Sequence, residues 1–81
     1  MSNEQIVMYA TTWCPDCRRA KKVFEANKVA YTYIDIEKDE AAARYIEEVN
    51  NGSQSVPTII FPDGTVLVEP SNAQLEAKLR G

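Results

Sequence analysis

The sequence predicts an α/β chain of order βαβαββα. Its sheet is expected to be four-stranded and mixed, in the order 2-1-3-4, with helices on both faces. Three observations predict it. Two short runs, residues 5–10 and 58–61, are apolar without alternation, as strands buried on both faces are. Segments of helical periodicity separate the first three strand-like runs. A turn signal at 62–64 then joins the last two runs as a hairpin.

Each element has its own signature. "QIVMYA" (5–10) is rich in strand formers. "PDCRRAKKVFEANK" (15–28) repeats Cys17, Ala20, Val23 and Phe24 at helical spacing, with Arg18, Arg19, Lys21 and Lys22 between them. Pro15 suits the first helical position, where its missing N–H costs nothing, and this puts Cys14 at or next to the N-cap. "AYTYIDI" (30–36) is β-branched and aromatic, hence a strand. "KDEAAARYIEEVNNG" reads as a helix with Asp39 as N-cap, Asn51-Gly52 as stop, and Ala42, Tyr45, Ile46 and Val49 on one apolar face. "VPTIIF" enters a strand through Pro57, and "PDG" turns it into "TVLV". "SNAQLEAKL" closes as a helix, with Ser71 and Gln74 spaced as a capping box and Leu75 and Leu79 inward. The first β-α-β requires a crossover between parallel strands, and the hairpin adds two antiparallel ones.

At 81 residues the chain is expected to be a single domain, 1–81. A net charge of −3 argues against a general nucleic-acid binder, which carries a basic face. No apolar run reaches the roughly 18–20 residues that span a membrane. The first ten residues lack the basic and apolar regions of a secretory signal. A cytoplasmic monomer is the expectation. In that compartment structural disulfides are rare, and a CxxC pair is usually catalytic or redox-sensing.

The chain has two cysteines, Cys14 and Cys17, both in "WCPDC". Residues three apart on a first helical turn have Cα atoms about 5 Å apart, within disulfide range. A staple across so short a loop contributes only about 2 kcal/mol, so stability does not explain the pair. A structural zinc site needs four ligands, and the chain has no histidine to supplement two cysteines. An iron–sulfur cluster shared across a dimer, or a non-catalytic redox sensor, is the alternative of another class. Redox chemistry explains more. A thiolate at a helix N-terminus faces unsatisfied N–H groups and the positive dipole end, which favour it. The basic residues of the helix add to this, whereas Asp16 opposes it. Cys14, before the first turn, is expected to be exposed and to attack; Cys17, on the inward stripe, to resolve. Trp13 is expected either as an apolar rim or half-buried at the sheet edge. Pro57 is expected as a cis-proline beside the thiols, freeing the Val56 backbone to pair with an extended substrate.

The joint occurrence of "WCPDC", "VPTIIF" and "DGT" resembles the thioredoxin fold and, within it, the glutaredoxin family, over roughly residues 5–79. The resemblance implies a thiol–disulfide oxidoreductase with Cys14 as nucleophile, Cys17 as resolving thiol and Pro57 as cis-proline at the substrate edge. Glutathione-dependent members carry a lysine at the position of Thr11, and a Gly-Gly pair and an Asp where this chain reads "LVEPSNAQL". The segment from "VPTIIF" to "EAKL" looks instead like the mycoredoxins, which use mycothiol. Thr11, Trp13, Pro15, Asp16, Val56, Pro57 and Ser71 are the expected substrate-binding residues. No metal or bound cofactor is implied. The co-substrate is a low-molecular-weight thiol, mycothiol or glutathione, with its NADPH-dependent reductase; the partners are thiolated or disulfide-containing proteins. NrdH-redoxins, dithiol donors to protein disulfides, are the alternative branch.

Overall fold

A computed structural model describes residues 5–80. Residues 1–4, on which part of the signal-peptide expectation rests, lie outside the described residues. The elements are β1 (Ile6–Ala10), α1 (Pro15–Ala26), β2 (Tyr31–Asp35), α2 (Glu40–Val49), β3 (Thr58–Ile60), β4 (Val66–Val68) and α3 (Asn72–Arg80). The sheet order is β2-β1-β3-β4. β1 and β2 run parallel, and β3 is antiparallel to both β1 and β4. The order is the one the sequence predicts. Of the two hairpin strands expected to run antiparallel to the β-α-β unit only β3 does so, because a hairpin reverses the chain and returns β4 parallel to β1.

Side-chain alternation along β1 divides the core. Ile6, Met8 and Ala10 face α1 and α3, where they meet Cys17, Ala20, Val23, Phe24 and Leu75. Tyr9 faces the opposite side, where Ile36, Ala42 and Ile46 form a smaller cluster under α2. Helices therefore cover both faces. Phe24 stacks on Tyr31 with ring centroids 4.7 Å apart, which ties α1 to the edge strand β2.

The helix ends follow their local chemistry. Asp39 caps α2 by accepting the Ala42 N–H at 3.1 Å. Asn51 and Gly52 carry positive φ after α2, and the Gly52 N–H returns to the Glu47 carbonyl. Ser71 and Gln74 form the reciprocal capping box of α3, at 2.9 and 3.1 Å. At the hairpin, the Gly64 N–H closes on the Phe61 carbonyl and Lys78 of α3 pairs with Asp63 at 2.6 Å.

Two expectations need correction. α1 stops at Ala26 rather than Lys28, because Asn27 caps it, its side-chain amide donating to the Val23 carbonyl at 2.8 Å. Tyr45 is exposed rather than part of the buried face of α2; its ring leans on Tyr9 at 5.6 Å. Replacing Asp39 with Ala is expected to lower stability by about 1 kcal/mol, through loss of the cap. Urea denaturation checks this, and a change below about 0.3 kcal/mol would show that the cap contributes little.

Candidate active site

The site forms where β1 hands over to α1. β1 ends at Ala10, and Thr11 to Trp13 turn the chain so that Cys14 becomes the N-cap of α1, with φ −80° and ψ 116°. Pro15 follows at the start of the helix and is exposed. An N-cap side chain normally accepts an amide hydrogen from the first turn. Here the acceptor is sulfur: the Cys17 N–H donates to Cys14 Sγ at 3.1 Å. Both cysteines are free thiols.

The second wall of the site is the loop before β3. The Val56–Pro57 peptide bond is cis, as the sequence predicts. The loop is held from below by Thr58, whose hydroxyl donates to the Ser55 carbonyl at 2.7 Å and accepts from the Asn50 side chain at 3.0 Å. The Glu69 N–H anchors the Pro57 carbonyl at 2.9 Å. So held, the Val56 carbonyl lies 3.7 Å from Cys14 Sγ and accepts its S–H. The Val56 carbonyl is therefore engaged by the thiol rather than free.

The exposure expected of Cys14 is not found. Cys14 is 5% exposed and Cys17 1%. The Cys14 sulfur folds back over the first helical turn and against the Val56 carbonyl, which removes it from solvent. Burial pushes the Cys17 thiol up to about 12, and its hydrogen bond to Cys14 and the charges of Cys14 and Asp16 add to this. A backbone hydrogen bond from Thr11 works in the opposite direction.

The other predicted residues divide. Trp13 is 60% exposed rather than half-buried, and its indole N–H donates to Glu37 Oε2 at 2.8 Å. Asp16 pairs with Arg19 one turn on, at 2.9 Å. Thr11 does not stand at the surface: it is 3% exposed, and its hydroxyl has no hydrogen-bond partner among the described residues. Ser71 is exposed, and its hydrogen bonds go to Gln74 and Leu75 of its own helix. The structure thus brings together Cys14, Cys17, Thr11, Val56 and Pro57, with Trp13 and Asp16 at the rim. Glu37 was not anticipated. It lies 24 residues from Trp13, and no local pattern marks the contact. Among the described residues, no group of three or more His, Cys, Asp or Glu side chains is arranged to hold a metal ion. No helix there is long and apolar enough to cross a membrane.

A CxxC pair at the N-terminus of the first helix, facing a cis-proline loop across a 2-1-3-4 sheet, defines a thioredoxin-fold thiol pair. The family model for glutaredoxin matches residues 6–67, and the chain belongs to the glutaredoxin family. A Mycobacterium tuberculosis protein bearing the glutaredoxin name is 42% identical over 79 residues, covering 98% of this chain and 94% of that one. Mycoredoxin 1 of Corynebacterium glutamicum is 39% identical over 79 residues, covering 98% and 95%. Among solved structures, the thioredoxin-like protein BC3987 superposes with a TM-score of 0.79 at 30% identity, covering 90% of this chain and 97% of that one. The glutaredoxin of Archaeoglobus fulgidus superposes with a TM-score of 0.78 at 27% identity, covering 99% and 90%.

Proposed function

We propose that this chain reduces mixed disulfides between proteins and a low-molecular-weight thiol, with Cys14 as nucleophile and Cys17 as resolving thiol. The observation that carries the reading is the Cys14 sulfur at the N-cap, accepting the Cys17 N–H at 3.1 Å. An amide that supports a neutral sulfur supports a thiolate more strongly, because charge-assisted hydrogen bonds are about twice as strong.

The reaction runs as two exchanges. The Cys14 thiolate attacks the small-thiol sulfur of the mixed disulfide. A bond forms between Cys14 and the small thiol, and the target protein leaves as a thiolate that takes up a proton. A second small-thiol thiolate then attacks that same sulfur and releases Cys14. The product is the small-thiol disulfide, which an NADPH-dependent reductase returns to the thiol. On a protein disulfide, Cys17 attacks the Cys14–protein bond instead, and a Cys14–Cys17 disulfide results. Loss of the Cys14 S–H proton on thiolate formation releases the Val56 carbonyl. The Val56–Pro57 backbone then receives the extended segment around the target cysteine, with Trp13 as the rim beside it. No bound cofactor is required, and the cytoplasm supplies both the thiol and the reductase.

For the small thiol we infer mycothiol over glutathione. The similarity to Mycoredoxin 1 supports this. So does Thr11: a buried neutral side chain stands where a cation would meet a glutathione carboxylate. Losing one charge-assisted contact costs up to about 3 kcal/mol, or up to roughly a hundredfold in efficiency. With Thr11 enclosed, the Ser55–Val56 backbone and the exposed Ser71 are left to meet the sugar hydroxyls of mycothiol. One mixed-disulfide substrate assayed in parallel with each thiol and its reductase tests the preference. The expected result is at least tenfold higher efficiency with mycothiol, and equal turnover with glutathione would falsify it. Turnover with a thioredoxin reductase alone would make the chain a dithiol donor to protein disulfides, a second reading supported by the likeness to BC3987.

A further inference from the structure

α1 concentrates positive charge in an acidic chain. It holds four of the nine Lys and Arg residues and two of the twelve Asp and Glu, a helix of net +2 in a protein of net −3. Arg19 is already satisfied by Asp16, on the flank of the helix. Among the described residues, Arg18, Lys21 and Lys22 are not paired with a carboxylate in this way. They recur at helical spacing on one face and line, with Glu25, a shallow hollow of about 240 Å³. Lys21 sits over the Tyr33 ring, 5.1 Å from its centroid, which holds its ammonium group along the helix flank.

The stripe is continuous with the thiol pair. Arg18 is one turn beyond Cys14, its N–H bonding the Cys14 carbonyl at 3.2 Å. Helical side chains lean toward the N-terminus, and the Arg18 guanidinium accordingly reaches back to the Thr12 carbonyl at 3.3 Å. A row of cationic side chains thus starts one turn beyond Cys14, on the far side of the rim that holds Asp16 and Glu37, and runs away from the thiols along α1. The cis-proline loop meets Cys14 through the Val56 carbonyl, whereas the basic side chains extend from the same thiol along α1.

We propose that this stripe docks an acidic segment of the protein substrate, with Asp and Glu side chains flanking the target cysteine paired to Arg18, Lys21 and Lys22. The proposal rests on the disulfide-exchange reading of Cys14 and adds to it a rule for choosing targets. The pairs are solvent-exposed, so each contributes modestly, and their sum acts mainly on the encounter rate and weakens with salt.

The test uses two peptides, each joined through one cysteine to the same small thiol. They are identical except that one carries three acidic residues beside the cysteine and the other three glutamines. A small non-peptide disulfide reports the thiol chemistry alone. For the unaltered protein at low salt, kcat/KM is expected to be about tenfold higher for the acidic peptide, and the advantage should shrink to less than twofold near 0.5 M salt. In the variant Arg18→Gln, Lys21→Gln, Lys22→Gln, the ratio of acidic-peptide to neutral-peptide efficiency is expected to fall to about one, with the non-peptide disulfide reporting any change in the thiol chemistry that the three substitutions share. Equal efficiency for the two peptides with the unaltered protein overturns the proposal. So does a persisting acidic preference in the variant. Absence of turnover for all three substrates would instead overturn the disulfide-exchange reading on which the proposal rests.

Discussion

Cys14→Ser is expected to lower reduction of a protein–small-thiol mixed disulfide by more than about a thousandfold, because a serine hydroxyl at this N-cap is neither ionised nor polarisable enough to attack sulfur. The hydroxyl can still accept the Cys17 N–H, as serine N-caps do, so the fold should survive and the loss should fall on chemistry. Cys17→Ser is expected to behave differently. Mixed-disulfide reduction needs only Cys14 and a second small thiol, and should stay within about threefold of the unaltered protein. Reduction of protein disulfides that need both thiols should disappear. Alkylation mapped by mass spectrometry gives an independent readout. Neither sulfur is openly exposed, so both label slowly. Cys14 should label first, because Cys17 is 1% exposed and held to about 12. Faster labelling of Cys17 near neutral pH, or full activity in Cys14→Ser, would reverse the assignment.

The fold was legible because its elements are marked locally. Pro15, Asp39 and the Ser71–Gln74 pair announce helix starts, and each acts as its residue type predicts. The unbroken apolar runs of β1 and β3 mark the two inner strands, and the sheet order follows. Of the site, the sequence showed what depends on local geometry: a thiol at the N-cap, its partner on the inward stripe, and a cis-proline opening β3. Solvent access was not legible. Cys14 is covered by Val56, 42 residues away, and such cover depends on how two loops meet rather than on helical phase. The burial of Thr11 was not legible either: a polar residue after a strand usually faces water, yet Thr11 is 3% exposed and its hydroxyl is unpartnered among the described residues. The Trp13–Glu37 bond is a long-range meeting of the same kind.

Titration of Cys17 should appear directly in the stability of the fold. Burial, the hydrogen bond to Cys14 and the charges of Cys14 and Asp16 raise this thiol from 9.0 to about 12 in the folded chain. Unfolding exposes it to water and returns it to its ordinary range. Between about pH 9 and pH 12 the unfolded chain has therefore lost a proton that the folded chain still holds. The unfolded state binds fewer protons there, so unfolding becomes easier as pH rises. Each unit corresponds to about 1.4 kcal/mol, on the order of 4 kcal/mol across the window. That is a large part of the total stability of a small domain, roughly 0.05–0.15 kcal/mol per residue. Tyr9, Tyr31 and Tyr33 are also raised by burial and act in the same direction, so the alkaline loss alone would not identify Cys17. The variant Cys17→Ala isolates it. The variant should start about 1 kcal/mol below the unaltered protein at pH 7, through lost packing. Its stability should then fall less steeply above pH 9, so that the two curves converge and cross. Urea unfolding under reducing conditions at unit intervals from pH 7 to pH 11 measures both. Parallel curves would mean that Cys17 ionises as easily folded as unfolded, and that its burial does not hold the proton. The proposed exchange would feel the same property. With Cys14 bonded to a small thiol, burial would still oppose ionisation of Cys17. Slow attack by Cys17 at neutral pH is the expected result, leaving time for a second small thiol to clear Cys14.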